Sequence, residues 1–300
     1  MPQIVIDARK ASIGPGMSVN RILPFRERRM VGPFIFMDHA GPVKLHGNAH
    51  HEMDVLPHPH IGLSTVSYLF NGEVTHRDSL GVEQVIKPGE VNWMTAGKGI
   101  AHSERFENPA VLAGGQLEML QTWVALPEKD EESDPDFKNY SKEQLPVVTD
   151  TGVWMRFIAG EAFGVKSATH THSPLFYIHA VMQAFSKISL PANYSERAIY
   201  IVSGSVDVDN KVYHATQMVV FAKAENPLII AREETVLMML GGEPLGERFI
   251  WWNFVSSRKD RIEQAKSDWK EGRINLPPLD DKEYIPLPEE KTGRPPEALS

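Results

Sequence analysis

Two short stretches hold side chains that can share one metal ion: Pro57-His58-Pro59-His60 and His102-Ser103-Glu104. In both, the donors alternate. A residue that precedes proline is pushed toward extended backbone, so His58 is held extended by Pro59. In an extended chain, positions i and i+2 face the same side. His58 and His60 can then reach a common centre, and so can His102 and Glu104. Two such pairs on neighbouring strands would surround one transition-metal ion with three imidazoles and a carboxylate. One or two coordination positions would stay open for water, dioxygen or substrate. Nitrogen and carboxylate ligation suits iron, manganese, nickel, cobalt, copper or zinc. An open site without thiolate points first to iron(II).

The remaining histidines lack this arrangement. His170-Thr171-His172 repeats the alternation, but no second His/Glu pair follows it, so it reads as a polar strand edge. His50 and His51 are adjacent and read as a loop pair. His39 and His76 suit hydrogen bonding behind the metal ligands and suit structural burial equally well.

The elements that must position these residues are strands. Gly and Pro number 22 each and punctuate short segments rich in Val, Ile, Thr, Tyr and Phe. Strands are expected at 65–70, 147–159, 199–202, 218–221 and 236–240, with Asn71-Gly72 as a two-residue hairpin turn. Tyr68-Leu69-Phe70-Asn71-Gly72-Glu73-Val74 resembles Tyr200-Ile201-Val202-Ser203-Gly204-Ser205-Val206, which suggests two copies of one β unit. His58 and His60 precede Gly72 by 14 and 12 residues, and the same offsets from Gly204 fall on Leu190 and Ala192. Those side chains cannot ligate, so the second copy is expected to lack a metal site. Near the end, Ser257 to Asp260 has the spacing of a capping box. Ile262, Ala265 and Trp269 then recur at helical spacing, and Gly272 marks a stop. The reading is all-β with a short C-terminal helix. It comprises a metal-bearing domain over 1–130, an acidic surface linker over 131–146, a second domain over 147–275 that ends in the helix, and an irregular Pro-rich tail over 276–300.

Composition excludes several classes. No cysteine is present, so disulfides, thiolate metal sites and cysteine nucleophiles are ruled out. A net charge of −8 with no long basic run gives no footprint for direct nucleic-acid binding. No apolar run is long enough to span a bilayer, and no signal-peptide core opens the chain. A cytoplasmic monomer is the expectation.

Longer motifs narrow the reading. His58 to Leu63, Tyr68 to Glu73, His76-Arg77-Asp78-Ser79 and Pro88 to Glu104 together resemble the pirin family. So do Arg29 to Phe34 and, in the second half, Gly241 to Glu247 with the Glu-Gln-Ala helix beyond it. The resemblance spans about residues 3–275. Ser64 stands where many pirins carry Glu, at a position that is not a family ligand. The resemblance implies a bicupin, two double-stranded β-helix (jelly-roll) barrels, with one iron in the first. Carried over by motif, the ligands are His58, His60, His102 and Glu104.

Two functions follow from that resemblance. One is a quercetin 2,3-dioxygenase-like oxidoreductase that opens a flavonol ring with dioxygen. Glu104 would be its catalytic base, and Met37, Trp93 and Met94 are candidates for the pocket wall. The other is a non-enzymatic, metal- or redox-sensing regulator of a protein partner, either a transcriptional co-regulator or a modulator of a metabolic enzyme. A sugar-phosphate isomerase is weaker, because only Lys98 and Arg105 offer cations near the site.

Overall fold

The computed structural model describes residues 4–13, 16–44, 53–108, 115–223, 225–289 and 297–299. Strands dominate, and among the described residues there is one α-helix, Lys259–Lys270. The chain forms two compact units. One comprises Met1–Arg9, Asn20–Ile35 and Tyr140–Pro244. The other, here the histidine unit, comprises Lys10–Val19, Phe36–Asn139 and Leu245–Ser300.

Each unit is organised around two sheets. In the histidine unit a four-stranded sheet runs in the order Val55–His60, Ile100–Arg105, Val74–Asp78, Glu83–Ile86. Opposite it is a sheet of seven strands, in the order Asp136–Tyr140, Val91–Thr95, Leu63–Asn71, Gln116–Ala125, Phe34–Lys44, Met17–Leu23, Arg9–Ile13. Leu69 and Met119 of the larger sheet pack against Val74 and Ile86 of the smaller one, which closes the interior between them. The other unit has an eight-stranded and a four-stranded sheet around a buried core that includes Phe157, Phe176, Ile199, Leu237 and Met239.

Period-2 patterning explains the strands, and the turns hold the corrections. Asn71-Gly72 is not a hairpin turn. Leu63–Asn71 lies in the larger sheet and Val74–Asp78 in the smaller, so the turn carries the chain from one sheet to the other. Gly72 has φ +89°, and a Cβ there would come within 2.9 Å of the Gln116 carbonyl oxygen. The repeated motif makes the same crossing in the other unit, from Glu196–Ser203 through Gly204 to Ser205–Val208. The run expected at 147–159 is two strands, Val147–Asp150 and Val153–Ala162, broken where Thr151 and Gly152 both take positive φ.

The division of the chain also departs from the expected boundaries. Ile4–Asp7 pairs with Gln217–Phe221, so the first residues complete the second barrel. The expected linker is partly structural. Asp136–Tyr140 is an edge strand, and Glu131 is buried, accepting from Ser256 Oγ and Ser257 N and pairing with Arg248. The helix belongs to the histidine unit and does not close the second barrel. Its Ile262, Ala265 and Trp269 bury against Ile61, Ala101 and Phe254. The expected cap is displaced too: Arg258 occupies the N-cap without a side-chain hydrogen bond, because the Ser257 hydroxyl donates to Glu131 instead. Gly272, at φ +70°, does end the helix. Part of the tail is ordered: Glu297–Leu299 pairs with Arg248–Trp251.

Candidate metal centre

The strands Val55–His60 and Ile100–Arg105 are antiparallel neighbours, and His58 and His102 are direct cross-strand partners. His60 follows two residues along the same face. Ile61 and Ala101 alternate with these histidines and point outward to the helix. The amphipathic alternation therefore turns the imidazoles into the barrel and seals the strands from behind. The register shifts between His102 and Glu104, where Glu104 pairs with Val55. The shift places an extra residue on the strand that carries Pro57, which has no N–H for the ladder.

His58, His60 and His102 each offer a ring nitrogen, and these three atoms lie within 4.8 Å of one another. Ring centroids are 5.0 Å apart for His58–His60, 4.4 Å for His58–His102 and 5.1 Å for His60–His102. His58 Nδ1 lies 2.9 Å from the Leu56 carbonyl. A carbonyl only accepts, so Nδ1 carries the proton and Nε2 keeps its lone pair. Neither ring nitrogen of His60 has a well-aligned hydrogen-bond partner, only the Asn253 backbone lying near, and His102 Nε2 has none, although all are buried. Buried polar atoms without partners are costly. His60 and His102, with the His58 Nε2 lone pair beside them, face one centre and fit a group that accepts nitrogen lone pairs, so the triad can hold a metal ion.

Electrostatics agrees with that use. Burial lowers the His58 pKa to about 4. It holds His60 and His102 well below the usual histidine value, and the neighbouring imidazoles push in the same direction. The rings are therefore neutral near pH 7, the form that ligates.

Glu104 is not among the mutually close donor atoms. Its carboxyl extends to Ser67 on the opposite sheet, whose hydroxyl lies 2.7 Å from Gln121 Oε1. Desolvation raises the Glu104 pKa to about 7, with the Ser67 hydrogen bond opposing the rise.

Around the triad, the structure corrects the expected pocket wall. Trp123 presents its edge to His60 at 5.2 Å, and Phe36 stacks on Trp123 at 4.1 Å. Strand alternation puts Met37 on the face opposite Phe36. Trp93 is paired with Val66, on the face opposite Ser67, whereas Met94, paired with Thr65, faces inward. Phe36 and Trp123 lie on strands that the sequence reading did not single out, and the alternation there becomes usable only once the inward face is known.

His76 lies behind His102. Its Nδ1 is 3.2 Å from His102 Nδ1, and its Nε2 is 3.0 Å from Asp78 Oδ2. Phe137, from the expected linker, stacks on the His76 ring at 4.4 Å. His39 instead pairs with Glu118 at 3.3 Å on the outer face of the larger sheet. His170 and His172 stack edge to face at 5.1 Å in the other unit, and His50 and His51 lie outside the described residues.

Paired jelly-roll barrels with a buried histidine cluster inside one of them define a bicupin. Comparison with known proteins is consistent. The sequence matches the Pirin family over residues 16–124 and the Pirin C-terminal cupin domain over residues 177–275. A pirin-like protein of Caulobacter vibrioides is 54% identical over 290 residues, covering 96% of this chain and 100% of its own. A Pseudomonas aeruginosa protein, provisionally named a quercetin 2,3-dioxygenase, is 34% identical, covering 92% of this chain and 86% of its own. The crystal structure of quercetin 2,3-dioxygenase from Acinetobacter baumannii superposes with a TM-score of 0.88 at 32% identity, covering 98% of this chain and 97% of the other. The chain belongs to the pirin family. Among the described residues, no helix is long and apolar enough to cross a membrane.

Proposed function

We propose that the protein is a metal-dependent dioxygenase acting on a flavonol-like substrate, with His58, His60, His102 and Glu104 holding one ion, iron(II) first. The observation that carries this reading is the buried triad of neutral imidazoles whose ring nitrogens lie within 4.8 Å of one another. The similarity to the quercetin 2,3-dioxygenase of Acinetobacter baumannii supports the substrate class.

When bound, the metal would polarise the substrate's oxygens and supply redox chemistry toward dioxygen. The protein's own groups do the rest. Trp123 and Phe36 offer a flat aromatic wall beside His60 for a planar substrate. Glu104 takes the proton of the flavonol 3-hydroxyl on its carboxylate oxygen. A carboxyl beside the triad that is buried enough to exchange protons near neutrality suits that task. Closely packed sheets keep bulk water from the centre.

The test is direct. The purified protein is assayed for metal by elemental analysis, and flavonol absorbance is followed under air. Metal-dependent loss of the flavonol band, abolished in His60→Ala, is expected. A metal-loaded protein that leaves flavonols untouched overturns the enzyme reading in favour of a metal-bearing regulator of a protein partner.

A further inference from the structure

We infer that Asp78 and His76 form a hydrogen-bond relay that sets the tautomer and orientation of His102 and leaves its Nε2 lone pair facing the metal centre. The consequence for metal affinity rests on the reading above; the relay itself does not.

The direction of the relay follows from what each group can donate. The Asp78 side chain is fully buried. Its Oδ1 accepts the backbone N–H of Leu80 at 2.9 Å and of Val82 at 3.2 Å, and its Oδ2 faces His76 Nε2 at 3.0 Å. A carboxylate only accepts, so the single proton of a neutral His76 sits on Nε2. His76 Nδ1 is then an acceptor, and its partner is His102 Nδ1 at 3.2 Å. His102 must therefore donate from Nδ1, which leaves Nε2 bare. That atom is buried and has no hydrogen-bond partner. The sheet makes the relay possible. On the ladder His102 pairs with Asp78 and Glu104 pairs with His76, so His76 is diagonal to His102 on the same face. The Phe137 ring, 17° from parallel, limits rotation of His76. His76 and Asp78 are positioning residues, since neither belongs to the triad.

Replacing Asp78 by asparagine changes one atom and reverses the polarity. The two backbone N–H groups at Oδ1 require an oxygen there, so the amide NH2 must face His76. His76 Nε2 then accepts, its proton moves to Nδ1, and His102 Nδ1 becomes the acceptor. The His102 proton is forced onto Nε2, the ligating position.

The experiment is long-range ¹H–¹⁵N correlation NMR of the histidine rings in the metal-free full chain, with nickel(II) titrated separately by calorimetry. In the unsubstituted protein His102 is expected to show a protonated Nδ1 and a bare Nε2. Asp78→Asn should invert that pattern and weaken nickel binding about 10- to 100-fold. If Asp78→Asn does not fold, His76→Phe decides, because it keeps the stack on Phe137 and removes the acceptor. His102 should then lose its single tautomer. An Nε2–H form of His102 in the unsubstituted protein overturns the relay, and so does an unchanged tautomer in Asp78→Asn or in His76→Phe. The tautomers behaving as stated while no metal binds would instead sink the metal reading and leave the relay standing.

Discussion

Burial sets the state of histidine in both units. In the candidate metal centre, neutral rings offer lone pairs toward one point. In the other unit His179 is buried edge-on to Trp154 at 5.3 Å and is the cross-strand partner of Arg156. Burial, aided by the Arg156 charge, lowers its pKa to about 3. An unfolded histidine binds its proton near pH 6.5. Between those values the unfolded chain holds more protons than the native one, so stability rises with pH. The contribution is complete above about pH 6.5 and is lost progressively as pH falls toward 3. His179→Gln should flatten the fall in melting temperature between about pH 6.5 and pH 4, read by calorimetry against the unsubstituted protein. An identical acid slope would show that His179 takes up its proton alike in both states and is not buried as described.

The strand pair that carries the three clustered histidines is anchored at its far end by charge. Arg105 donates from Nε and Nη2 to both carboxylate oxygens of Asp280 at 2.8 Å, and from Nη1 to Asp54 Oδ2 at 3.1 Å. Asp54 Oδ1 also takes the Phe106 N–H at 2.9 Å. These groups are largely shielded from water, with side-chain exposures of 15% for Arg105 and 12% for Asp280, so screening weakens the pair less than a surface bridge. Asp280→Ala removes one partner and leaves the guanidinium partly buried, which should cost about 1–3 kcal/mol in urea denaturation at pH 7. A change within experimental error would make the tail a bystander. The register shift beside Pro57 was legible in part, since proline cannot complete the ladder. Its effect on Glu104 was not. Spacing put Glu104 beside the three imidazoles, and only the fold reveals the Ser67 hydrogen bond that its carboxyl also makes.

At the scale of the molecule, the chain's two ends trade places with respect to its order. The helix and the tail belong to the histidine unit, and the first strand completes the other one. Trp269 Nε1 donates to the Ile285 carbonyl at 3.0 Å, and Ile285 N donates to the Pro57 carbonyl at 2.8 Å, beside His58. Deleting Lys259–Ser300 would uncover Ile61 and Ala101 behind the ligand strands, each large apolar side chain being worth about 1.5–3 kcal/mol of burial. The shortened chain should therefore purify with less metal although every donor lies upstream of the cut, and elemental analysis measures this. Full metal content would show that the ligand strands stand without the helix.

Local patterns determined much of this protein. Alternation in His58-Pro59-His60 and in His102-Ser103-Glu104 singled out three imidazoles that the fold brings together, punctuation by Gly and Pro announced strands, and the repeated motif around Gly72 and Gly204 announced two barrels. These signals depend only on neighbours a few residues apart, so the sequence contains them whole. Tertiary structure decided which sheet each strand joins, which face of Phe34–Lys44 and Gln116–Ala125 turns inward, which barrel receives the helix, and that Asp78 reaches His102 through His76. Each of those depends on partners brought together by burial and by backbone pairing across long stretches of chain, where sequence spacing carries no geometry.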